Sequence, residues 1–332
     1  MAHIQEQKFA ELGFQKSTSS HKLVSYHKQL IKANSNTPIL VLLHGYPNSA
    51  YLWRHIIPLL PHPLFIPDLP GYGNSSAPEK HDKVSVGLLI LAALRELIDS
   101  FNKYSDSSHA RSPEVLPIVL IGHDRGARVA HHLHLYSPNA PILGFTVKGL
   151  ALLDIVPTHS QWAIGDEAEK ATGWFHWSFL ANPSIAVPMI QAYGGGKWAG
   201  DMIERWAGTN ASAREKMKEG DALAVYSSFF NHPEVIEATT RDYEAGATTD
   251  VEFEKKAIEE GRRIVVPLLL AYSAGFLPKR AKKPILEVWS QPWSEGAHLI
   301  TEWPIGDGVG HFVPEEAPEE TAQALGKWLQ TL

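Results

Sequence analysis

The chain has 332 residues, which suits one large α/β domain with an inserted subdomain, or two domains, and is long enough to bury a sizeable core. Its 36 acidic and 30 basic residues leave a formal net charge of −6 without any long basic run, so nucleic acid or an anionic membrane surface is not an expected partner. There is no cysteine, which excludes disulfides and thiolate metal sites and fits a reducing compartment.

Met1 to Lys8 lacks the apolar core of a signal peptide, and no run reaches the length of a membrane span. A soluble, cytoplasmic protein is expected. Phe9 to Leu30 reads as two antiparallel strands broken by Ser17-Thr18-Ser19-Ser20. Ile39 to Leu43 is a short, continuous apolar run before His44-Gly45-Tyr46-Pro47, the pattern of a strand buried on both faces. Leu64 to Asp68 is a second such run, and Val84 to Phe101 has helical spacing. Lys103 to Pro117 is polar and reads as a surface loop. Ile118 to Ile121 and Gly149 to Leu153 are further strands, the latter ending at Asp154.

After Pro157 the composition shifts to Trp, Tyr, Glu, Lys and Gly, with helical patches and no buried strand as far as Gly261. Val265 to Ala271 resumes the strand pattern, Ala297 to Thr301 is the expected last strand, and Pro314 to Leu332 an expected terminal helix. Strand and helix in alternation indicate a mostly parallel, doubly wound sheet. The expected organisation is a core of residues 1–156 and 262–332, with a helical cap, 157–261, inserted between two strands.

The most informative stretch is Ile118 to Arg128, in which an apolar strand feeds Gly122-His123-Asp124-Arg125-Gly126 and a helical pattern follows. This is the strand–turn–helix context of a nucleophile elbow, with aspartate where serine is commoner. Aspartate there narrows the chemistry. A serine that displaced a leaving group from saturated carbon would form an ether, which water does not readily remove. A carboxylate forms an ester, which water cleaves. Asp124 is therefore the expected nucleophile for displacement at sp³ carbon.

Other strand ends supply the rest, since ligands bind where parallel strands end. In folds built on such an elbow, an N–H of the first loop and the N–H just after the nucleophile form an oxyanion hole, here Tyr46 and Arg125. Asp154 and His311 follow in the chain order nucleophile, acid, histidine. His311 is the expected base for water and Asp154 its partner. The strand ending at Tyr272 is followed by Ser273-Ala274-Gly275-Phe276, with no carboxylate, which favours Asp154 as the acid.

The cluster His131, His132, His134 invites a metal reading. Adjacent helix positions point to different faces and no ligand motif accompanies them, so neither a metal nor another cofactor is expected. Arg125 and Arg128 begin the helix after the nucleophile, where positive charge opposes the macrodipole. An anion between them would relieve this, and a substrate carboxylate suits their guanidinium forks. The alternatives are surface charges or ion pairs with the cap.

These residues resemble the haloacetate (fluoroacetate) dehalogenases, in the epoxide-hydrolase-like branch of the α/β-hydrolases. The similarity extends over nearly the whole chain. It is carried by His44-Gly45-Tyr46-Pro47, Asp68 to Gly73, Gly122 to Arg128, Asp154 to Thr158, His176 to Leu180, Asp242 to Ala247 and Gly310 to Pro318. The double arginine and the His176-Trp177 pair are its more specific elements. The resemblance implies the α/β-hydrolase fold and a homodimer. It further implies Asp124 as nucleophile, His311 as base, Asp154 as its partner, Arg125 and Arg128 as carboxylate ligands, and His176, Trp177 and Tyr243 as a halide pocket. The chain departs from the pattern at Tyr46, where phenylalanine is usual, in the long 103–117 loop, and in the region Ser273 to Trp293.

The expected activity is hydrolytic dehalogenation of a short 2-haloacid, a small-molecule substrate, to a 2-hydroxy acid. An epoxide hydrolase is the first alternative, with Tyr243 and either Tyr193 or Tyr226 as ring-opening acids. A non-catalytic ligand binder is the second.

Overall fold

A computed structural model describes residues 2–104, 115–163 and 168–332. Eight strands form one sheet: β1 (Gln15–Thr18), β2 (Val24–Lys28), β3 (Ile39–Leu43), β4 (Leu64–Pro67), β5 (Leu116–His123), β6 (Phe145–Leu153), β7 (Leu268–Ser273) and β8 (Ile300–Ile305). Their order is β1-β2-β4-β3-β5-β6-β7-β8. The first two pairings are antiparallel and all the others parallel. Every residue of β3, β4, β5 and β7 is buried, which is why these strands read as unbroken apolar runs rather than alternating ones. From β3 the chain passes to β4 on one side and then to β5 on the other. The carboxyl ends of β3 and β5 thus flank a topological switch point, where a crevice opens in sheets of this type.

The helix Lys83–Tyr104 packs against the helix Arg125–Tyr136. Between β6 and β7 all the described elements are helical, from Thr158–Trp162 to Thr249–Glu259. Among the described residues, no helix is long and apolar enough to cross a membrane.

Several boundaries differ from the sequence expectation. Phe9 belongs to a helix, Ala2–Glu11, and not to a strand. Its ring stacks on Tyr26 at 4.1 Å, and Gln5 of the same helix donates to both oxygens of the buried Asp68 at 3.0 Å. Tertiary partners, absent from local pattern, decide that segment. Of the expected 103–117 loop, residues 105–114 lie outside the described residues; the helix reaches Tyr104 and β5 begins at Leu116. Ala297–Leu299 is a 3₁₀ turn, and the last strand runs from Ile300 to Ile305. As an edge strand it carries Glu302 and Pro304, which are tolerated at an edge and hide the apolar signal. The terminal helix is broken into Val313–Glu316 and Pro318–Leu329. Ala317 sits at φ −138°, ψ 60°, because a residue before proline is sterically excluded from the helical region.

Candidate active site

Asp124 lies between β5 and the helix Arg125–Tyr136, at φ 46° and ψ −114°, a sparsely populated backbone conformation for a side-chain-bearing residue. Close packing on both sides enforces it. A Cβ on Gly122 would collide with the Ala127 backbone, and one on Gly126 with the carbonyls of Leu43 and His44. The turn is therefore clamped between its own helix and β3, and the Asp124 carboxylate is presented at the switch point.

The two carboxylate oxygens have different surroundings. Oδ2 accepts the Tyr46 N–H at 3.0 Å, whereas Oδ1 lies 3.9 Å from His311 Nε2, too far for a direct hydrogen bond. His311 Nδ1 is 2.6 Å from Asp154 Oδ2, and the other Asp154 oxygen accepts Ser273 N–H at 2.9 Å. The structure thus brings Asp124, His311 and Asp154 together from loops 187 and 157 residues apart for the two histidine pairs (311 − 124 and 311 − 154). Burial alone would raise the Asp124 carboxyl. Protonated His311 and the guanidinium groups of Arg125 and Arg128 outweigh it and hold the group below the usual carboxylate range. His123, pushed down to about 3 chiefly by burial, is uncharged, and its Nε2 lies 2.8 Å from the His311 carbonyl oxygen.

The two arginines have different surroundings. Arg125 Nε donates to Asp242 Oδ2 at 2.6 Å and Nη2 to the Asp242 carbonyl at 2.8 Å, while its guanidinium lies 4.2 Å from the Tyr243 ring centre. The anion that relieves positive charge at this helix N-terminus is therefore Asp242, a group of the chain itself. Asp242 also pairs with Lys83. Arg128, not Arg125, lines the cavity above Asp124. Its Nη1 donates to the Val156 carbonyl at 2.9 Å and to Thr158 Oγ1 at 3.2 Å, and its Nε is buried without a hydrogen-bond partner. Burial, and after it the charge of Arg125, pushes Arg128 down to about 10, leaving it cationic at neutral pH.

His176, Trp177 and Tyr243 are all buried and all line the cavity. Trp177 and Tyr243 meet edge to face at 5.7 Å. Burial holds the Tyr243 hydroxyl well above its ordinary pKa, so it remains an O–H donor. Trp206, Gln161, Trp174 and Phe276 complete the wall, and local sequence marked neither Trp206 nor Gln161 as a site residue. Trp206 packs 4.4 Å from His176 and 6.3 Å from His311, ring centre to ring centre. Trp206 Nε1 and Gln161 Nε2 are buried donors without hydrogen-bond partners. The cavity is small, with a volume of about 20 Å³, room for one or two waters.

The other candidates are placed elsewhere. Tyr193 is half exposed and hydrogen-bonded to Asp201, and Tyr226 donates to Glu315 at 2.7 Å; neither lines the cavity. The Tyr46 hydroxyl accepts Trp198 Nε1–H at 2.6 Å. His131 and His132 do share a carboxylate, contrary to the sequence reading: Glu254 Oε1 lies 3.4 Å from His131 Nδ1 and 2.8 Å from His132 Nε2. That carboxylate also accepts the N–H groups of Thr158 and His159, so it is held by hydrogen bonds and ties the helix Thr249–Glu259 to the helix Arg125–Tyr136. His134 Nε2 accepts the Val265 N–H at 3.3 Å.

Residues 40–324 match the model of the alpha/beta hydrolase family. A fluoroacetate dehalogenase from Burkholderia sp is 27% identical over 301 residues, covering 88% of this chain and 87% of the relative. Epoxide hydrolase A from Mycobacterium tuberculosis is 28% identical over 319 residues, covering 89% and 91%. A solved structure from Nostoc sp PCC 7120, described as an alpha/beta hydrolase, is 31% identical with a TM-score of 0.76, covering 97% of this chain and 99% of that one. The chain belongs to the alpha/beta hydrolase family and is a hydrolase.

Proposed function

We propose that this enzyme hydrolyses the carbon–halogen bond of short 2-haloacids such as the haloacetates, with residues 157–261 serving as a cap over a core of 1–156 and 262–332. The observation that carries the reading is the asymmetry of Asp124. Oδ2 is held by the Tyr46 amide, while Oδ1 faces the cavity and His311. Oδ1 attacks the α-carbon in line with the halide, forming a C–O bond as the carbon–halogen bond breaks. Donors on Trp177, His176 and Tyr243 receive the leaving halide, and Arg128 receives the substrate carboxylate. His311 Nε2 then takes a proton from water, whose oxygen attacks the Asp124 carboxyl carbon. Charge collects on Oδ2, where the Tyr46 N–H already points, joined by the N–H of Arg125. Asp154 holds the imidazole tautomer and stabilises the imidazolium. Collapse releases the 2-hydroxy acid and restores Asp124. The small cavity supports a substrate of few heavy atoms.

An epoxide hydrolase would use the same Asp124 and His311. Tyr243 lies in the cavity and favours it, but Tyr193 and Tyr226 lie outside. The test is halide release from fluoro-, chloro- and bromoacetate beside diol formation from small epoxides. In His311→Gln the ester should accumulate on Asp124, seen as a mass gain on intact protein. Diol without halide would transfer the assignment to epoxides. Binding without turnover, unchanged in Asp124→Asn, would make the protein a non-catalytic binder.

A further inference from the structure

His311 is gripped from both sides by one side chain outside the triad. The buried Glu316 carboxylate accepts three backbone N–H groups: Gly310 at 2.8 Å and Gly208 at 2.7 Å on Oε2, and Phe312 at 3.0 Å on Oε1. Gly310 and Phe312 are the immediate neighbours of His311. Gly208 belongs to the loop after the helix Gly195–Trp206 of the insertion. The same two loops are bonded directly as well: His311 N–H donates to the Trp206 carbonyl at 2.9 Å, and Thr209 and Asn210 N–H both donate to the Gly308 carbonyl, at 2.8 and 3.1 Å. A helix cap alone would need only the Phe312 contact, since Phe312 precedes the short helix Val313–Glu316. The reach to Gly310 and across to Gly208 goes beyond capping.

We propose that Glu316 is a positioning residue for the water-activating step, one carboxylate that fixes the backbone on both sides of His311 and locks it to the loop carrying the pocket wall residue Trp206. The base and the wall above it are thereby set as one unit. This rests on the two-step ester route above, and it makes an asymmetric demand on that route. Attack by Asp124 needs no base, so it tolerates a displaced His311. Hydrolysis of the ester does not, because water activation is sensitive to misplacement by a fraction of an ångström.

Glu316→Gln replaces an acceptor oxygen with an N–H₂ group that cannot accept. In rapid-quench experiments with chloroacetate, the halide burst should keep its wild-type rate within about twofold, and ester hydrolysis should slow by about tenfold or more, so that ester accumulates. A general loss of folded protein would lower the burst amplitude and leave the hydrolysis rate of the remaining sites unchanged. Both steps slowing in parallel, or hydrolysis unchanged, overturns the proposal. Amide hydrogen exchange on the ligand-free protein provides an arm independent of substrate. Phe312, or Gly208 and Gly310 together, should lose protection in the variant according to which side takes the N–H₂ group, and unchanged protection of all three overturns the clamp. If the wild type forms neither halide nor ester, the dehalogenase reading fails while the exchange arm still judges Glu316. Should Glu316→Gln not fold, Glu316→Asp, whose shorter side chain cannot span all three donors, is read by the same two measurements.

Discussion

Asp242→Asn probes how the insertion is fastened to the core. Asp242 is buried, holding Arg125 at 2.6 Å, pairing with Lys83, and accepting the Tyr72 hydroxyl at 2.9 Å. Arg125 and Lys83 are each 1% exposed, so the substitution strands charge away from water. Lys83 retains Asp250 at 3.1 Å, whereas Arg125 loses the carboxylate on its Nε. Breaking a buried pair by removing one partner costs about 3–5 kcal/mol; with Lys83 still partnered, about 3–4 kcal/mol is expected. At about 2.1 cal/mol/K of unfolding entropy per residue, 332 residues give about 0.7 kcal/mol/K, and the melting temperature should fall by about 5 °C. Calorimetry and urea unfolding at pH 7 measure both quantities. The pH dependence is a further check. Burial alone would raise the Asp242 carboxyl, but Arg125 and Lys83 outweigh it and hold the group far below the ordinary carboxylate range. A depressed folded-state value means that its stabilisation is fully present above the unfolded value of about 4 and is lost as pH falls toward the folded one. The gap between wild type and variant should therefore be complete at pH 7 and narrow in acid. A variant within about 1 kcal/mol of wild type at pH 7 would refute the reasoning, because it would show that Arg125 is solvated or paired without Asp242.

Two further outcomes follow from the same geometry. Gln161→Leu removes a buried, unpartnered amide donor from the cavity wall that also carries Arg128. A hydrogen bond to a charged group contributes about 1.5–3 kcal/mol, so KM for haloacetate should rise about ten- to hundredfold with a smaller change in kcat; an unchanged KM excludes Gln161 from the substrate site. Because the Asp124 carboxyl is held below its ordinary range, the halide burst should persist to about pH 4 or lower, while ester hydrolysis, which needs an uncharged imidazole, declines first as the pH drops. Stopped-flow halide detection with quenched mass spectrometry separates the two, and a burst that fails together with hydrolysis contradicts the assignment of separate groups to the two steps.

The sheet was largely legible because a strand buried on both faces writes its burial into consecutive residues. Ile39 to Leu43 and Ile118 to Ile121 are read correctly for that reason. Where burial is one-sided or supplied by distant partners, as in β8 and the helix Ala2–Glu11, the local signal misleads. The elbow was legible because its glycines mark it in the sequence, Gly122 for a local reason, the Ala127 backbone, and Gly126 for a tertiary one, the carbonyls of Leu43 and His44 on β3 and its loop.

By itself, then, the sequence determined the buried strands, the glycine-flanked turn at Asp124, and the chain order that puts Asp154 after β6 and His311 after β8. The tertiary structure alone decided which charges answer one another. Asp242 takes Arg125 across a separation of 117 residues, Glu254 takes His132 across 122, and Glu316 reaches Gly208 across 108. Ion pairs and hydrogen bonds act over a few ångströms of space, and no periodicity in the chain records which distant side chain will occupy that space.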